Sequence, residues 1–124
     1  MLFAATSPDA SPDCIVIASP FSSLRAMAEH GSLPKMISSI MPDVWDNISR
    51  IRNVHAPVLW IHSRTDQTVP TDEGRSVFEA APDPKMAVMI DRYDHNAIYQ
   101  AMPSVAWNPM LAFIRGNKVV PGKV

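Results

Sequence analysis

Two short stretches of the chain carry residue types suited to acid–base catalysis. One is Ser63-Arg64-Thr65-Asp66-Gln67-Thr68-Val69-Pro70, which offers a carboxylate at Asp66. The other is Arg92-Tyr93-Asp94-His95-Asn96, which offers an imidazole at His95. A carboxylate on one ring nitrogen of a histidine fixes its tautomer and stabilises the imidazolium. The other nitrogen is then free to act as a general base toward a nucleophile. The other histidines read as bland. His30 and His55 stand in no constellation and read as surface residues. His62 ends an apolar run and reads as a structural turn residue. No metal-ligand spacing relates the four histidines. Asp72 is a rival acid, but its place at a helix start favours the dipole there. Cys14 opens an apolar run and reads as an inert core residue.

Asp66 and His95 can meet only if the elements before them are neighbours. Twelve prolines punctuate the chain. Cys14-Ile15-Val16-Ile17-Ala18 is a continuous apolar run between Pro12 and Pro20. Val58 to His62 follows Pro57, and Lys85 to Asp91 follows Pro84. Such short runs suit strands buried on both faces. Helical segments alternate with them. Ser22 or Ser23 caps one that Gly31 ends. Residues 35–42 are weakly helical, and Asp43 to Ile48 reads as a loop with a hydrophobic anchor. Met36, Ile37, Ile40 and Met41 read as core or lid packing, with an acyl pocket as the alternative. Thr71 opens a clearer helix, which Pro82 closes. Ser104 to Arg115 is the last, with Trp107, Met110, Leu111 and Ile114 on one face. Pro109 predicts a kink or a later start there. The order β-α-β-α-β-α implies an α/β fold: a three-stranded parallel sheet with flanking helices. Ligands in such sheets lie beyond the carboxyl ends of the strands, where both chemical loops fall.

Composition removes several alternatives. The chain has 124 residues, of which 47% are hydrophobic and 19% charged, as expected of a globular domain. A net charge of −1, from 11 basic and 12 acidic residues, argues against a nucleic-acid partner. A single cysteine excludes an internal disulfide framework. No apolar run approaches the roughly 18 residues of a membrane span. The first residues lack the form of a secretory signal, so a cytoplasmic location is expected. Only four glycines are present, at 31, 74, 116 and 122. None is spaced for a G-x-S-x-G, a G-x-G-x-x-G or a P-loop.

The chain resembles the α/β-hydrolases. Val58 to Pro70 is similar to their P-V-L-x-I-H-G-x-x-D-x-x-V-P stretch, and Asp66 falls on the triad acid. Asp91 to Asn96 resembles the G-x-G-H-N loop, and His95 falls on the triad histidine. Ala18-Ser19-Pro20-Phe21-Ser22-Ser23-Leu24 resembles the S-P-F-x-S-L segment after the family's sixth strand. Trp45-Asp46-Asn47-Ile48 with Ile51 resembles the F-D-x-x-x-x-I lead-in to the next strand. The four motifs are in family order, and the match spans roughly residues 2 to 115. The closest branches are serine-aminopeptidase-like and acyl-protein-thioesterase-like. The resemblance implies the C-terminal half of a doubly wound sheet, carried by residues 1–116, with 117–124 as a flexible tail. It implies hydrolysis of an ester, thioester or amide by the complete enzyme, on a small acyl or peptide substrate, and neither cofactor nor metal.

Three departures matter. Ser63 and Asp94 stand where the family has glycine. Asp94 places a second carboxylate next to His95, one able to compete with Asp66 for it. The nucleophile is also missing. The resemblance puts G-x-S-x-G before Met1, with Leu2 to Thr6 as the tail of the helix that follows it. Ser19 is a poor substitute, because Pro20 lacks the N–H that an oxyanion hole in this fold needs from that position. Ser7 and Ser11 also precede prolines, and Ser63 sits in the acid loop. The chain by itself is therefore expected to be nearly inert. The alternative is a non-catalytic binding or dimerising module that self-associates through the exposed edge of strand 14–18. A decayed reading frame is a third reading.

Overall fold

The computed structural model describes residues 12–31, 34–42 and 44–117. The expected helix at Leu2 to Thr6 and most of the tail lie outside these residues. Three strands form one parallel sheet in the order β1 (Ile15–Ala18), β2 (Val58–Ser63), β3 (Lys85–Ile90). The helices between and after them are α1 (Leu24–His30), α2 (Lys35–Ile40), α3 (Asn47–Ile51), α4 (Thr71–Ala80), α5 (Ala97–Gln100) and α6 (Trp107–Asn117). The α/β architecture expected from the alternation is present.

The sheet separates two apolar layers, because successive strand residues point to opposite faces. Ile15, Ile17, Val58 and Trp60 pack on one face with Ile51 of α3 and Val77 of α4. Leu59, Ile61 and Ile90 pack on the other with Ala97 and Ala101 of α5 and Ala106. Central β2 is buried along its whole length, as a continuous apolar run requires. The expectation of double burial fails at β3. Met86 and Ala87 are exposed. β3 is an edge strand among the described residues, and the α5–α6 layer reaches only its Val88 and Ile90.

Local signals explain the element ends. Ser23 caps α1, its hydroxyl accepting from the Ala26 N–H at 3.2 Å. The stretch before β2 differs from its reading as a loop. Asp46 caps α3 by accepting from the Ser49 N–H at 2.9 Å, and Ile51 on that helix is the true anchor. Trp45 is exposed instead. Met36 and Ile40 are each 79% exposed, so α2 does not pack as core. Short α5 was not visible in the periodicity. α6 takes the later start predicted by Pro109, which stands in its first turn. Lys85 closes α4: its ammonium donates to the carbonyls of Phe78, Glu79 and Ala81 at 3.1, 2.9 and 2.8 Å. A cation is favoured at that end of a helix. None of the described helices is long and apolar enough to cross a membrane.

Helix α4 runs very close to β2. Glu73, read as a dipole residue, is buried and reaches the loop after β1. Its Oε2 accepts from the Ser22 N–H at 3.0 Å and from the Ser22 hydroxyl. Its Oε1 lies 3.0 Å from His30 Nε2, so His30 is a partner of Glu73 and not an isolated surface residue. The next residue, Gly74, lies over the Trp60 and His62 rings. A Cβ there would stand 2.8 Å from His62 Cε1 and 3.0 Å from Trp60 Nε1. Both rings are buried and have no room to retreat. Gly74→Ala is therefore expected to cost about 1–3 kcal/mol through overpacking. The shift of the urea unfolding midpoint at unchanged slope measures it.

Candidate active site

Parallel pairing decides where the two chemical loops emerge. Ser63, the last residue of β2, is in register with Ile90, the last of β3. The loops therefore leave the sheet side by side, at its carboxyl end. Hydrogen bonds stitch them together. The Ser63 and Thr65 hydroxyls both donate to the Tyr93 carbonyl at 2.6 Å. Tyr93 holds that position with a left-handed φ of 73°. The Arg64 N–H donates to the Ile90 carbonyl at 2.8 Å. Ser63 thus serves as a buried cross-link between the loops.

Asp66 and His95 are brought together. His95 Nδ1 lies 3.0 Å from Asp66 Oδ2. The other oxygen, Oδ1, accepts from the Thr68 and Val69 N–H groups at 2.9 and 2.8 Å, closing a tight turn around the carboxylate. The Asp66 side chain has no exposed surface, whereas that of His95 is 37% exposed. Among the described residues, His95 Nε2 makes no hydrogen bond. The arrangement sets Nδ1–H toward the carboxylate and leaves Nε2 with its lone pair.

The expected competition from Asp94 does not occur. Asp94 Oδ1 accepts from the Gln67 N–H at 2.7 Å, so this carboxylate braces the acid loop and leaves His95 to Asp66. His62 is also not the turn residue its position suggested. It is buried on β2 with its Nε2 3.3 Å from Asp66 Oδ2 and 3.0 Å from the Val69 carbonyl. The one available signal was the period of two that sets Trp60 and His62 on the same face. His55 is exposed, as read. Cys14 precedes β1 and is half-buried. No hydroxyl of the described residues bonds His95. Ser19 continues the ladder through its N–H, which donates to the Ile61 carbonyl at 2.9 Å, and Pro20 follows it. No group of three His, Cys, Asp or Glu among the described residues stands where it could hold a metal ion.

No family model matches the chain. An uncharacterized Mycobacterium tuberculosis protein, Rv2307c, is 37% identical over 87 residues, which is 68% of this chain and 30% of that protein. The chain thus spans about 30% of the length of the curated relatives it matches. Its backbone follows that of Rv0554 from M. tuberculosis with a TM-score of 0.71, at 18% identity, over 95% of this chain and 62% of the other. It follows the acetyl xylan esterase of Paenibacillus sp. R4 with a TM-score of 0.69, at 17% identity, over 94% and 41%. The acylaminoacyl peptidase of Pyrococcus horikoshii gives 0.63, at 16% identity, over 99% and 23%. The chain has an α/β-hydrolase fold. Its partial cover of the larger neighbours fits the C-terminal half of that fold. In open α/β sheets ligands bind beyond the carboxyl ends of the strands, the end from which the loops bearing Asp66 and His95 leave.

The carboxylate's protonation has a consequence for stability. Burial alone would raise the pKa of Asp66. The hydrogen bonds from the Val69 N–H, His95 and the Thr68 N–H outweigh it, and the pKa falls below the ordinary carboxylate value. A lowered folded-state pKa stabilises the fold above the unfolded-state value of about 3.9. That stability is lost as pH falls from there through the folded-state pKa. Asp46 is lowered too, chiefly by its bond from the Ser49 hydroxyl, and acts in the same window. Asp66→Asn is expected to lower stability near neutral pH and to flatten, without abolishing, the decline below about pH 4. Urea unfolding at stepped pH checks both.

Proposed function

We propose that this chain is the acid–base half of a serine hydrolase that cleaves an ester, thioester or amide. The hydrogen bond between His95 Nδ1 and Asp66 Oδ2 carries the reading. Asp66 holds the ring with its proton on Nδ1, so the Nε2 lone pair faces outward. Nε2 removes the proton of a serine hydroxyl as that oxygen attacks the acyl carbon. The imidazolium then returns the proton to the leaving group, and Asp66 stabilises the charge throughout. Two neighbours in fold are named for an acetyl ester and an acylated peptide, which supports an acyl substrate. The nucleophile would lie outside the residues given, which contain no G-x-S-x-G. On this reading the 124-residue chain alone does not hydrolyse p-nitrophenyl acetate above the buffer rate. Turnover by the chain that disappears in His95→Ala would overturn its inertness. In the longer protein that includes the serine, His95→Ala is expected to lower turnover by about 10⁶-fold. Unchanged turnover there ends the reading of His95 as the base.

A second reading rests on a different surface. β1 is an edge strand among the described residues, and a cavity of about 540 Å³ opens beside it, lined by Val16, Ala18, Pro20, Phe21 and Trp45 among others. An apolar hollow next to a strand edge that no described strand pairs is suited to a second copy of this chain. Trp45, itself 59% exposed, would be covered. Sedimentation at rising concentration is expected to show a dimer that Trp45→Glu weakens. A monomer at all concentrations removes this reading.

A further inference from the structure

We propose that His62 is a positioning residue that fixes the Asp66 carboxylate for His95. The inference rests on the reading of Asp66 and His95 as the acid–base pair. It begins with Trp60, two residues earlier on the same face of β2. The indole Nε1–H lies 3.2 Å from His62 Nδ1. An indole N–H only donates, so Nδ1 must accept and carries no proton. The proton of the neutral ring is then on Nε2. That N–H donates to the Val69 carbonyl at 3.0 Å, and Asp66 Oδ2 lies 3.3 Å from the same nitrogen. Asp66 Oδ2 thus lies between two imidazoles, His62 from inside the protein and His95 from the solvent side.

The two rings are not equivalent. The side chain of His62 has no exposed surface, and that of His95 is 37% exposed. Among the described residues, Asp66 is the acid within ion-pair distance of His62. Gly74 of α4 roofs the ring without a side chain of its own. Trp60 also packs edge-on against the ring, with centroids 5.7 Å apart. His62 therefore has one orientation and one tautomer. It is a fixed donor to the Val69 carbonyl, while His95 is the ring that exchanges protons. The Val69 and Thr68 N–H groups hold Oδ1, so by tethering Val69 His62 fixes the turn that holds the carboxylate, and its ring sits against Oδ2. Supporting groups of this kind keep a reacting pair within the narrow geometry that catalysis needs.

Nitrogen-15 NMR of the histidine-labelled chain tests this at about pH 8.5, above the ordinary histidine range. The expected spectrum shows His62 protonated at Nε2 and bare at Nδ1, and His95 protonated at Nδ1. His62→Gln retains a donor toward the Val69 carbonyl and is expected to leave His95 in its Nδ1–H form. His62→Asn can still accept from Trp60 but is too short to reach the Val69 carbonyl. There His95 is expected to shift to a mixture of tautomers. A wild-type His62 protonated at Nδ1 overturns the proposal without any variant having to fold. So does an unchanged His95 tautomer in folded His62→Asn. The acid–base reading of His95 fails separately: full turnover by the longer protein bearing His95→Ala would end it and leave the His62 spectrum as it is.

Discussion

A carboxylate without solvent must find its hydrogen bonds inside the protein, and at Asp66 that demand organises the whole carboxyl end of the sheet. Its oxygens meet the Thr68 and Val69 N–H groups, His95 and His62. Each partner belongs to a different part of the architecture. The backbone donors require the tight turn after β2. His95 requires β3 to lie next to β2 in register, and His62 requires the strand itself. An ionised group so buried would be costly if any of these were absent. The bonds from the Val69 N–H, His95 and the Thr68 N–H outweigh the burial and hold the carboxyl below its ordinary pKa.

Central β2 makes this possible. It is buried on both faces and flanked by parallel neighbours, so its end is the best-fixed point in the sheet. Its period of two separates the duties of its last residues. Trp60 and His62 face α4, where Gly74 lets the helix approach. Ser63 faces the other way and ties the acid loop to the Tyr93 carbonyl. Asp94 then braces the same loop through the Gln67 N–H. Ser63 and Asp94 are thus cross-links, and both restrict the loops that carry Asp66 and His95. Glu73 does comparable work one turn away, joining α4 to Ser22 and His30 beyond β1.

Much of this was legible in the residues. Proline-bounded apolar runs located all three strands, because a parallel strand covered on both sides needs continuous hydrophobicity. Ser23, Gly31, Pro82 and Pro109 marked helix ends by their own backbone chemistry. The motif order singled out Asp66 and His95. The helix from Asn47 and the short α5 were missed, since one or two turns carry too little periodicity to read. Met36 and Ile40 look like core residues by type, and only the fold shows that nothing among the described residues covers them.

What the sequence determined by itself was therefore local: strand and helix order, the absence of a G-x-S-x-G within these residues, and the two loops able to do acid–base work. Tertiary structure decided which carboxylate each group answers to. Asp94 is adjacent to His95 in sequence yet bonds Gln67, whereas Asp66, 29 residues away, holds the ring. His62 looked like the end of a strand and proved to be the inner partner of that acid. The physical reason is that hydrogen bonding depends on direction and burial. Those are set by how β2, β3 and α4 pack, and no spacing along the chain records them.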